Sequence, residues 1–344
     1  MDKTGDPLFP CIAGERWGYI DARGTWAIAP AFREAKEFHE GLAAVETAEG
    51  RWGYINRAGG LAITARFAFA NRFSDGLAVV LEHPAEKHRY MFLNAKGETV
   101  AVVDKYPWID HQFSEGRIGF RVQDDSRDGH YGFLDAQGLV AVKPISTGSR
   151  RFSDGLAVVK IDGKFGYIDR QGHLAIQPRF DEANSFADGL APVQSGGKWG
   201  YIDIHGEYVV DPKFVSAEPF SEGLAAVLDG TTWAFMDKTG KIRFQPQRAP
   251  HQQNHRPAFS DGVCALNDSK GYDSFWSIID PQGKIVGRFA ERGPPFLIGK
   301  FRDGLAPLFF DATPRDSSRA SPMIFVGYVR KTGERVKVAE PASK

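Results

Sequence analysis

Aspartates are the residues of this chain that could most readily supply general acids and bases. They recur at two fixed positions, one three residues before a glycine and one directly before a glycine. The two sets are Asp21, Asp135, Asp169, Asp203, Asp237 and Asp280, and Asp75, Asp154, Asp188, Asp261 and Asp303. Asp and Gly at these spacings are typical of tight turns. Because a catalytic group normally interrupts a repeating pattern, we interpret both sets as turn residues and predict no catalytic residue among them.

One acidic segment resembles a calcium loop. Asp124, Ser126 and Asp128 precede Gly129, and Asp135 follows the first of them by eleven residues. This is the oxygen spacing of an EF-hand loop, yet the closing glutamate is missing and β-prone segments flank the loop where helices are needed. We interpret the segment as a solvated hairpin loop and predict no metal site.

Two histidine pairs, His83 with His88 and His251 with His255, are spaced closely enough to suggest metal ligands. No cysteine accompanies either pair, and a zinc site needs three or four ligands. The chain has no glycine-rich phosphate loop and no Gly-x-Ser-x-Gly motif. We therefore predict no cofactor and no enzymatic activity. An enzyme would require carboxylates that converge in the channel of a closed ring.

The elements that position these residues repeat along the chain, and the clearest unit runs from Phe186 to Pro219. A Phe-x-x-Gly turn opens the unit, and an Asp-x-x-Gly turn follows its second β-prone run. Pro212 ends the third run, because proline cannot donate to a β-ladder. We therefore predict three short strands per unit, at Leu190 to Val193, Trp199 to Asp203 and Tyr208 to Val210.

Both landmarks of the unit recur in phase. The opening phenylalanines are Phe38, Phe73, Phe113, Phe152, Phe186, Phe220, Phe259 and Phe301, separated by 34 to 42 residues. The aromatic residues of the second strand are Trp17, Trp52, Tyr90, Tyr131, Phe165, Trp199, Trp233 and Trp276. A period of about 20 to 50 residues indicates an array in which no unit can bury its core alone.

The strands are apolar on both faces, as in Trp17 and Tyr19 on one side and Gly18 and Ile20 on the other. Sheets of this kind stack face to face. We expect the glycine after each aromatic residue to admit a neighbouring aromatic ring across the backbone. The fold class is all-β, with units of about 34–42 residues in an open twisted stack or a propeller-like ring. We predict one domain over residues 1–344, with eight or nine units and atypical ends at 1–37 and 302–344.

At these motifs the chain resembles the bacterial WG-repeat family. The motifs are Arg16-Trp17-Gly18-Tyr19-Ile20-Asp21, Arg51-Trp52-Gly53-Tyr54-Ile55-Asn56 and Lys198-Trp199-Gly200-Tyr201-Ile202-Asp203, joined to Gly-Leu-Ala segments at 41–43, 76–78, 155–157 and 223–225. The resemblance covers nearly the whole chain. Departures occur at Tyr90-Met91-Phe92, Phe113 to Arg117, Trp233-Ala234-Phe235 and Trp276-Ser277-Ile278. The resemblance implies a repeat fold and an interaction role more than an activity.

Composition limits the remaining classes. The 344 residues are 42% hydrophobic, and 43 basic side chains balance 43 acidic ones, which predicts neither a nucleic-acid nor a membrane partner. Cys11 and Cys264 fit buried, reduced positions. No apolar run could span a bilayer, and no leader is visible, so we expect a cytoplasmic protein. Met1-Asp2-Lys3-Thr4-Gly5 repeats the segment at 236–240, which leaves open that upstream residues are missing.

Long insertions between the first and second strands predict a binding edge. They lie at 82–89, 123–130, 267–275 and 310–323. Insertions at one position of a repeat emerge on one side of an array, which often binds a partner, although drift in tolerant loops would look the same. We predict a protein or peptide partner; a monomer is one state that the sequence allows. The candidate residues in these loops are His83, His88, Arg89, Arg315 and Arg319.

Two tryptophans lie outside the repeated aromatic position. Trp26 and Trp108 are near the third strand or the segment after it. Each could be an exposed anchor for a partner, or could fill a gap between units. A carbohydrate or cell-surface ligand bound through these rings is the alternative function.

Overall fold

The structure, a computed structural model, describes residues 5–82, 89–122, 129–246, 256–267, 274–291, 296–311 and 323–341. These residues form 32 β-strands and, within the described ranges, no helix. None of the described segments could therefore cross a membrane as a helix. The chain divides into two compact units, Met1–Ser185 with Val338–Lys344, and Phe186–Lys337. The prediction of an all-β tandem repeat is confirmed.

The first unit contains five antiparallel sheets. Sheet 1 holds β1 (Phe9–Ala13), β2 (Arg16–Ile20) and β3 (Trp26–Phe32), and sheet 2 holds β4 (Glu34–Ala35), β5 (Ala43–Glu46), β6 (Trp52–Ile55) and β7 (Leu61–Phe67). Sheet 3 holds β8 (Phe69–Ala70), β9 (Leu77–Leu81), β10 (Tyr90–Asn94) and β11 (Thr99–Val103). Sheet 4 holds β12 (Trp108–Ile109), β13 (Ile118–Val122), β14 (His130–Leu134) and β15 (Val140–Ser146), and sheet 5 holds β16 (Ala157–Ile161), β17 (Lys164–Ile168) and β18 (Leu174–Phe180). Strand β19 (Glu182–Ala183) follows.

The second unit repeats this plan. It contains β20 (Ala191–Ser195), β21 (Lys198–Ile202) and β22 (Tyr208–Phe214), then β23 (Ser216–Ala217), β24 (Leu224–Asp229), β25 (Thr232–Asp237) and β26 (Ile242–Phe244). Next are β27 (Cys264–Asn267), β28 (Ser274–Ile279) and β29 (Ile285–Glu291), and β30 (Phe296–Ile298), β31 (Leu305–Asp311) and β32 (Met323–Arg330). In the part of the chain that the structure describes there are nine small sheets, each a blade of the β-propeller type.

Most repeats contain one strand more than the three predicted. A two-residue strand precedes the Phe-x-x-Gly turn, as in β4, where Glu34 pairs with Glu46 and Ala35 with Val45. The two central residues of this turn, Glu40 and Gly41, both have positive φ angles, of 52° and 82°. Two positive φ values belong to a type I′ turn, which joins paired strands. This turn closes the extra strand onto the apolar run that follows it.

The glycine after the aromatic residue has a different cause from the predicted one in four of the five repeats that contain it within a WG-type strand. A Cβ atom on Gly53 would lie 2.7 Å from both the Ile63 carbonyl oxygen and the Ala65 Cα. The same approach of a carbonyl from the third strand occurs at Gly18, Gly132, Gly166 and Gly200. The third strand bulges at this point, because its register shifts between Trp52 and Tyr54. The prediction that the glycine admits an aromatic ring holds only at Gly132, where a Cβ atom would also lie 2.8 Å from the Phe120 ring on the adjacent strand. At the other four glycines it is wrong, because what they admit is the bulged backbone.

The aspartates three residues before a glycine are turn residues, as predicted. The Asp21 carboxylate accepts backbone hydrogen bonds from Arg23 at 2.9 Å and Thr25 at 3.0 Å. These bonds and the Arg23 guanidinium lower the pKa of the Asp21 carboxyl, although partial burial opposes them. Asp135, Asp169, Asp203, Asp237 and Asp280 bond the backbone in the same way.

Successive sheets are joined by a tyrosine and a phenylalanine. The Tyr54 ring packs edge-on against Phe73 of the next repeat, with centroids 4.9 Å apart, and its hydroxyl donates to the Asn71 carbonyl at 2.6 Å. Tyr19, Tyr167 and Tyr201 donate to carbonyls at the equivalent distance along the chain. Burial raises the pKa of all four hydroxyls. Cys11 and Cys264 are both buried and unpaired.

Candidate binding site

The acidic residues of the Phe-x-x-Gly turns are occupied by bonds between repeats. The Asp75 carboxylate accepts a hydrogen bond from the Gly116 amide at 2.8 Å, and Asp188 accepts one from Gly223 at 2.8 Å. Glu40, Glu115, Glu222 and Asp261 bond the next turn glycine in the same way. These carboxylates therefore link neighbouring turns and do not converge on a reaction centre. No cluster of three metal-ligating side chains occurs among the described residues.

A row of cationic and aromatic side chains lies in the first unit, beside the short strands β4, β8 and β12 of sheets 2 to 4 and in the segment that precedes sheet 5. We name it the basic strip, and it comprises Lys36, His39, Phe69, Arg72, Trp108, His111, Arg150 and Arg151. Its members lie close to the turn phenylalanine of their repeats, in the segment that ends at the type I′ turn. In sheets 2 to 4 that segment begins with a two-residue edge strand, and side chains at a sheet edge can reach solvent.

Two aromatic residues of the strip hold the same place in consecutive repeats. Phe69 and Trp108 are the first residues of β8 and β12, and they are 39% and 37% exposed. Other repeats begin this strand with polar residues, as at Glu34, Glu182 and Ser216. Large exposed aromatic side chains at adjacent equivalent positions are candidates for contact with a ligand.

The first pocket of the strip encloses about 410 Å³ and is open to solvent. It is lined by Lys36, Glu37, His39, Phe69, Asn71, Arg72, His111 and Gln112. Lys36 forms one wall, with its ammonium nitrogen 4.0 Å from the centroid of the Phe69 ring and 4.9 Å from that of Trp52. The same nitrogen donates to the Ala70 carbonyl at 2.8 Å. Burial lowers the pKa of Lys36 to about 8.

Arg72 forms the opposite part of this pocket. Its Nε donates to Gln112 Oε1 at 2.6 Å, and its Nη1 lies 3.1 Å from His39 Nε2. His39 Nε2 also lies 3.6 Å from the Glu37 carboxylate. Arg72 itself makes no ion pair with a carboxylate within the described residues. Its guanidinium is therefore held in place by Gln112 and His39.

The second pocket encloses about 330 Å³ and contains the predicted residue Trp108. It is lined by Trp108, Asp110, Gly119, Tyr131, Phe133, Ser149, Arg150, Arg151 and Ser185. The Trp108 and Tyr131 rings meet edge to face with centroids 6.0 Å apart. Arg151 makes two bonds to the Asp110 carboxylate, at 2.8 and 2.6 Å, so its charge is compensated. Arg150 is exposed and, among the described residues, has no such ion pair.

Of the other predicted site residues, Trp26 and Arg89 are described, and neither lines the pockets of the strip. Trp26 is half-buried, and its indole nitrogen donates to the Ala339 carbonyl at 2.8 Å. Arg89 forms an ion pair with Glu82 at the base of the first long insertion. His83, His88, Arg315 and Arg319 lie outside the described residues, as do residues 124–128 of the segment interpreted as a solvated hairpin loop and the histidines at 251 and 255.

Sequence reasoning missed Lys36, His39, Arg72 and Arg150. A usable signal existed, because alignment of the repeats on the turn phenylalanine places a basic residue just before it in successive repeats. Lys36, Arg72, His111 and Arg151 are the instances. A motif within one segment cannot reveal the strip, because the strip takes two residues from each of four successive repeats.

The amino-acid sequence was compared with protein families and curated proteins. Residues 17–49, 52–82, 131–165, 165–199 and 199–230 each match the family model described as WG containing repeat. No curated protein matches the sequence. The matches include the three Trp-Gly motifs and two repeats in which the first aromatic residue is Tyr131 or Phe165.

Solved structures share the fold at low sequence identity. The crystal structure of a eukaryotic initiation factor is 13% identical, with a TM-score of 0.66 over 97% of this chain and 95% of that one. BamB from Moraxella catarrhalis is 12% identical, with a TM-score of 0.46 over 88% of this chain and 96% of that one. Apo AztD from Citrobacter koseri is 12% identical, with a TM-score of 0.47 over 83% and 95%. The first similarity bears on the fold alone, and the other two are too weak to carry an argument.

Proposed function

Because this chain is a WG-repeat protein, with five matched repeats, we propose that it is a non-enzymatic scaffold for a protein or peptide partner. The observation that carries the proposal is the contrast between regular strands and irregular insertions at one connection of the repeat. In the first unit the insertions at 82–89 and 123–130 both join the paired strands that follow a Phe-x-x-Gly turn. Repeat proteins commonly bind partners through such loops on a rigid framework.

The acidic side chains support a structural role for the repeats and a binding role for their edges. Most of the turn aspartates that could have acted as acids or bases accept hydrogen bonds from backbone amides of their own or the next turn. A scaffold needs this rigidity, because a preorganised surface loses less entropy when a partner binds.

The proposal is tested by deletion of insertions. Variants that lack residues 83–88 or 312–322 are used to capture partners from the lysate of the native organism, beside the intact chain. We expect both to fold, since each deletion spares the paired strands, and we expect at least one to lose a partner that the intact chain retains. If both variants retain every partner, the insertions are not the binding edge and the proposal is wrong.

A carbohydrate ligand is a second candidate, favoured by the environment of Trp108. Its exposed ring borders a pocket that also holds Asp110, Ser149 and Arg150, and sugars bind to aromatic faces rimmed by polar groups. Titration with a glycan panel should then quench tryptophan fluorescence in the intact chain and have no effect in Trp108→Ala. Trp26 is a weaker candidate, because its indole N–H is bonded within the chain.

A further inference from the structure

We propose that the basic strip binds an acidic peptide segment of the partner, with carboxylates at the cations and apolar side chains on Phe69 and Trp108. This inference rests on the proposed partner-binding function and names a second surface for it, apart from the insertions. It is carried by the combination of cationic and aromatic side chains in the segments that precede four successive Phe-x-x-Gly turns.

The cations of the strip are available for a carboxylate. Lys36, Arg72 and Arg150 make no ion pair within the described part of the chain, whereas Arg151 is engaged by Asp110. The Lys36 ammonium group already contacts two aromatic rings and one carbonyl in place of some of its water. Binding of an anion therefore removes little further water from it, and the desolvation penalty is small. Arg72 is held by Gln112 and His39, which fixes its orientation before a ligand arrives.

The exposed aromatic residues of the strip indicate that its ligand carries apolar groups as well as negative charge. Phe69 and Trp108 stand at the same register of neighbouring sheets, opposite Leu81 and Arg121 on the adjacent strands. Exposed aromatic residues are enriched at the centres of protein interfaces, where they supply apolar contact next to charged groups. A peptide that carries both carboxylates and apolar side chains satisfies both features of the strip.

A nucleic acid fits the strip less well. Glu37 and Asp110 line the same pockets and would repel any anion placed next to them, so a ligand must carry its charges at intervals, whereas a phosphate backbone carries one at every nucleotide. Binding to nucleic acid also depends on many phosphate contacts, each of which releases counterions. Three unpaired cations, next to two carboxylates, favour a segment with separated charges.

The experiment is fluorescence anisotropy on the full chain with three labelled probes. They are a short peptide of glutamate, serine and tyrosine, the same peptide with glutamine in place of glutamate, and a thymidine oligonucleotide of equal length. We expect the acidic peptide to bind in low salt, to weaken as salt is added, and to bind more tightly than the other two probes.

Matched variants locate the binding. R72Q combined with R150Q should weaken the acidic peptide about tenfold, since each exposed charge pair contributes modestly. K143Q combined with R170Q removes the same charge from exposed positions outside the strip and should leave affinity unchanged. F69S combined with W108S should also weaken binding. Thermal melting of each variant confirms that it is folded.

Three results would overturn the inference: equal binding of the glutamine peptide, unchanged affinity of the R72Q and R150Q combination, or tighter binding of the oligonucleotide. The lysate experiment tests the insertion hypothesis independently of the peptide-binding experiment. If the chain without residues 83–88 loses no partner from lysate but binds the acidic peptide normally, the strip is supported and the insertion edge is not.

Discussion

The Lys36 ammonium group packs against two aromatic rings, and its partial burial carries a desolvation penalty for the charged form. The Ala70 carbonyl and the Trp52 and Phe69 rings compensate part of that cost. Burial nevertheless lowers the pKa of Lys36 from 10.5 to about 8, so the charge that the strip offers to a ligand begins to disappear just above neutral pH.

A lowered pKa makes the stability of the protein depend on pH. Between pH 8 and 10.5 the unfolded chain keeps the Lys36 proton while the folded chain releases it. The unfolded state then binds more protons, so the free energy of unfolding rises with pH in this window. We expect this rise in the wild type and its absence in Lys36→Met, with a difference below about 1.4 kcal/mol per pH unit because solvent screens the partly buried group.

Urea unfolding at pH 8 and pH 9 gives the change in unfolding free energy between the two pH values for the wild type and for Lys36→Met. Subtracting one change from the other cancels the contributions of tyrosines and cysteines, which titrate in both proteins. Lys143→Met, at an exposed position, is the control and should parallel the wild type. A Lys36→Met variant with the same pH dependence as the wild type would show that the Lys36 proton is not perturbed.

Residues of the strip were not predictable from their immediate neighbours. Lys36 precedes a glutamate and Arg150 follows a serine, which are ordinary surrounding residues for surface cations. Their meaning comes from sheets that place residues about 35 to 40 positions apart side by side. In contrast, Asp21 and Asp203 were predictable, because a turn that depends on four consecutive residues is contained in the sequence around them.

The β-strands depend on glycines where the third strand bulges towards the second. At Gly53 a methyl group would lie 2.7 Å from a carbonyl oxygen and from a Cα atom, neither of which can rotate away. The tight contact was invisible in the sequence, which showed only that a glycine recurs. The bulge responsible comes from the register of two strands and not from any local motif.

Gly53→Ala should therefore destabilise the protein by about 1–3 kcal/mol, the usual cost of overpacking. Gly119→Ala is the matched control. It also lies within a strand, but its Cβ would meet no atom closer than 3.8 Å and its φ is not positive. The control should be neutral or slightly stabilising, because alanine restricts the unfolded chain.

Urea unfolding of the two variants provides the comparison. Equal unfolding midpoints for Gly53→Ala and Gly119→Ala would mean that sheet 2 relaxes around the new methyl group, and the close backbone approach would not be what requires glycine.

On the scale of the whole chain, the last residues are held against the first sheet. The Ala339 amide donates to the Gly24 carbonyl at 3.0 Å, and the Trp26 indole donates to the Ala339 carbonyl at 2.8 Å. Both partners belong to the first compact unit, which thereby includes residues from both ends of the sequence. The sequence identified Trp26 as unusual, but a contact across 313 residues left no local signal.

Deletion of residues 338–344 should lower the melting temperature by about 2–4 °C, since the two lost hydrogen bonds contribute about 1 kcal/mol each and a chain of 344 residues loses roughly 1–2 °C per kcal/mol. Trp26→Phe removes one bond and keeps most of the ring, so it should produce about half the shift. Deletion of residues 342–344 alone is the control, since it spares both bonds. If the longer deletion melts at the same temperature as the shorter one, the chain end does not stabilise the first sheet, and Trp26 is free for the role of an exposed anchor that its position outside the repeat suggested.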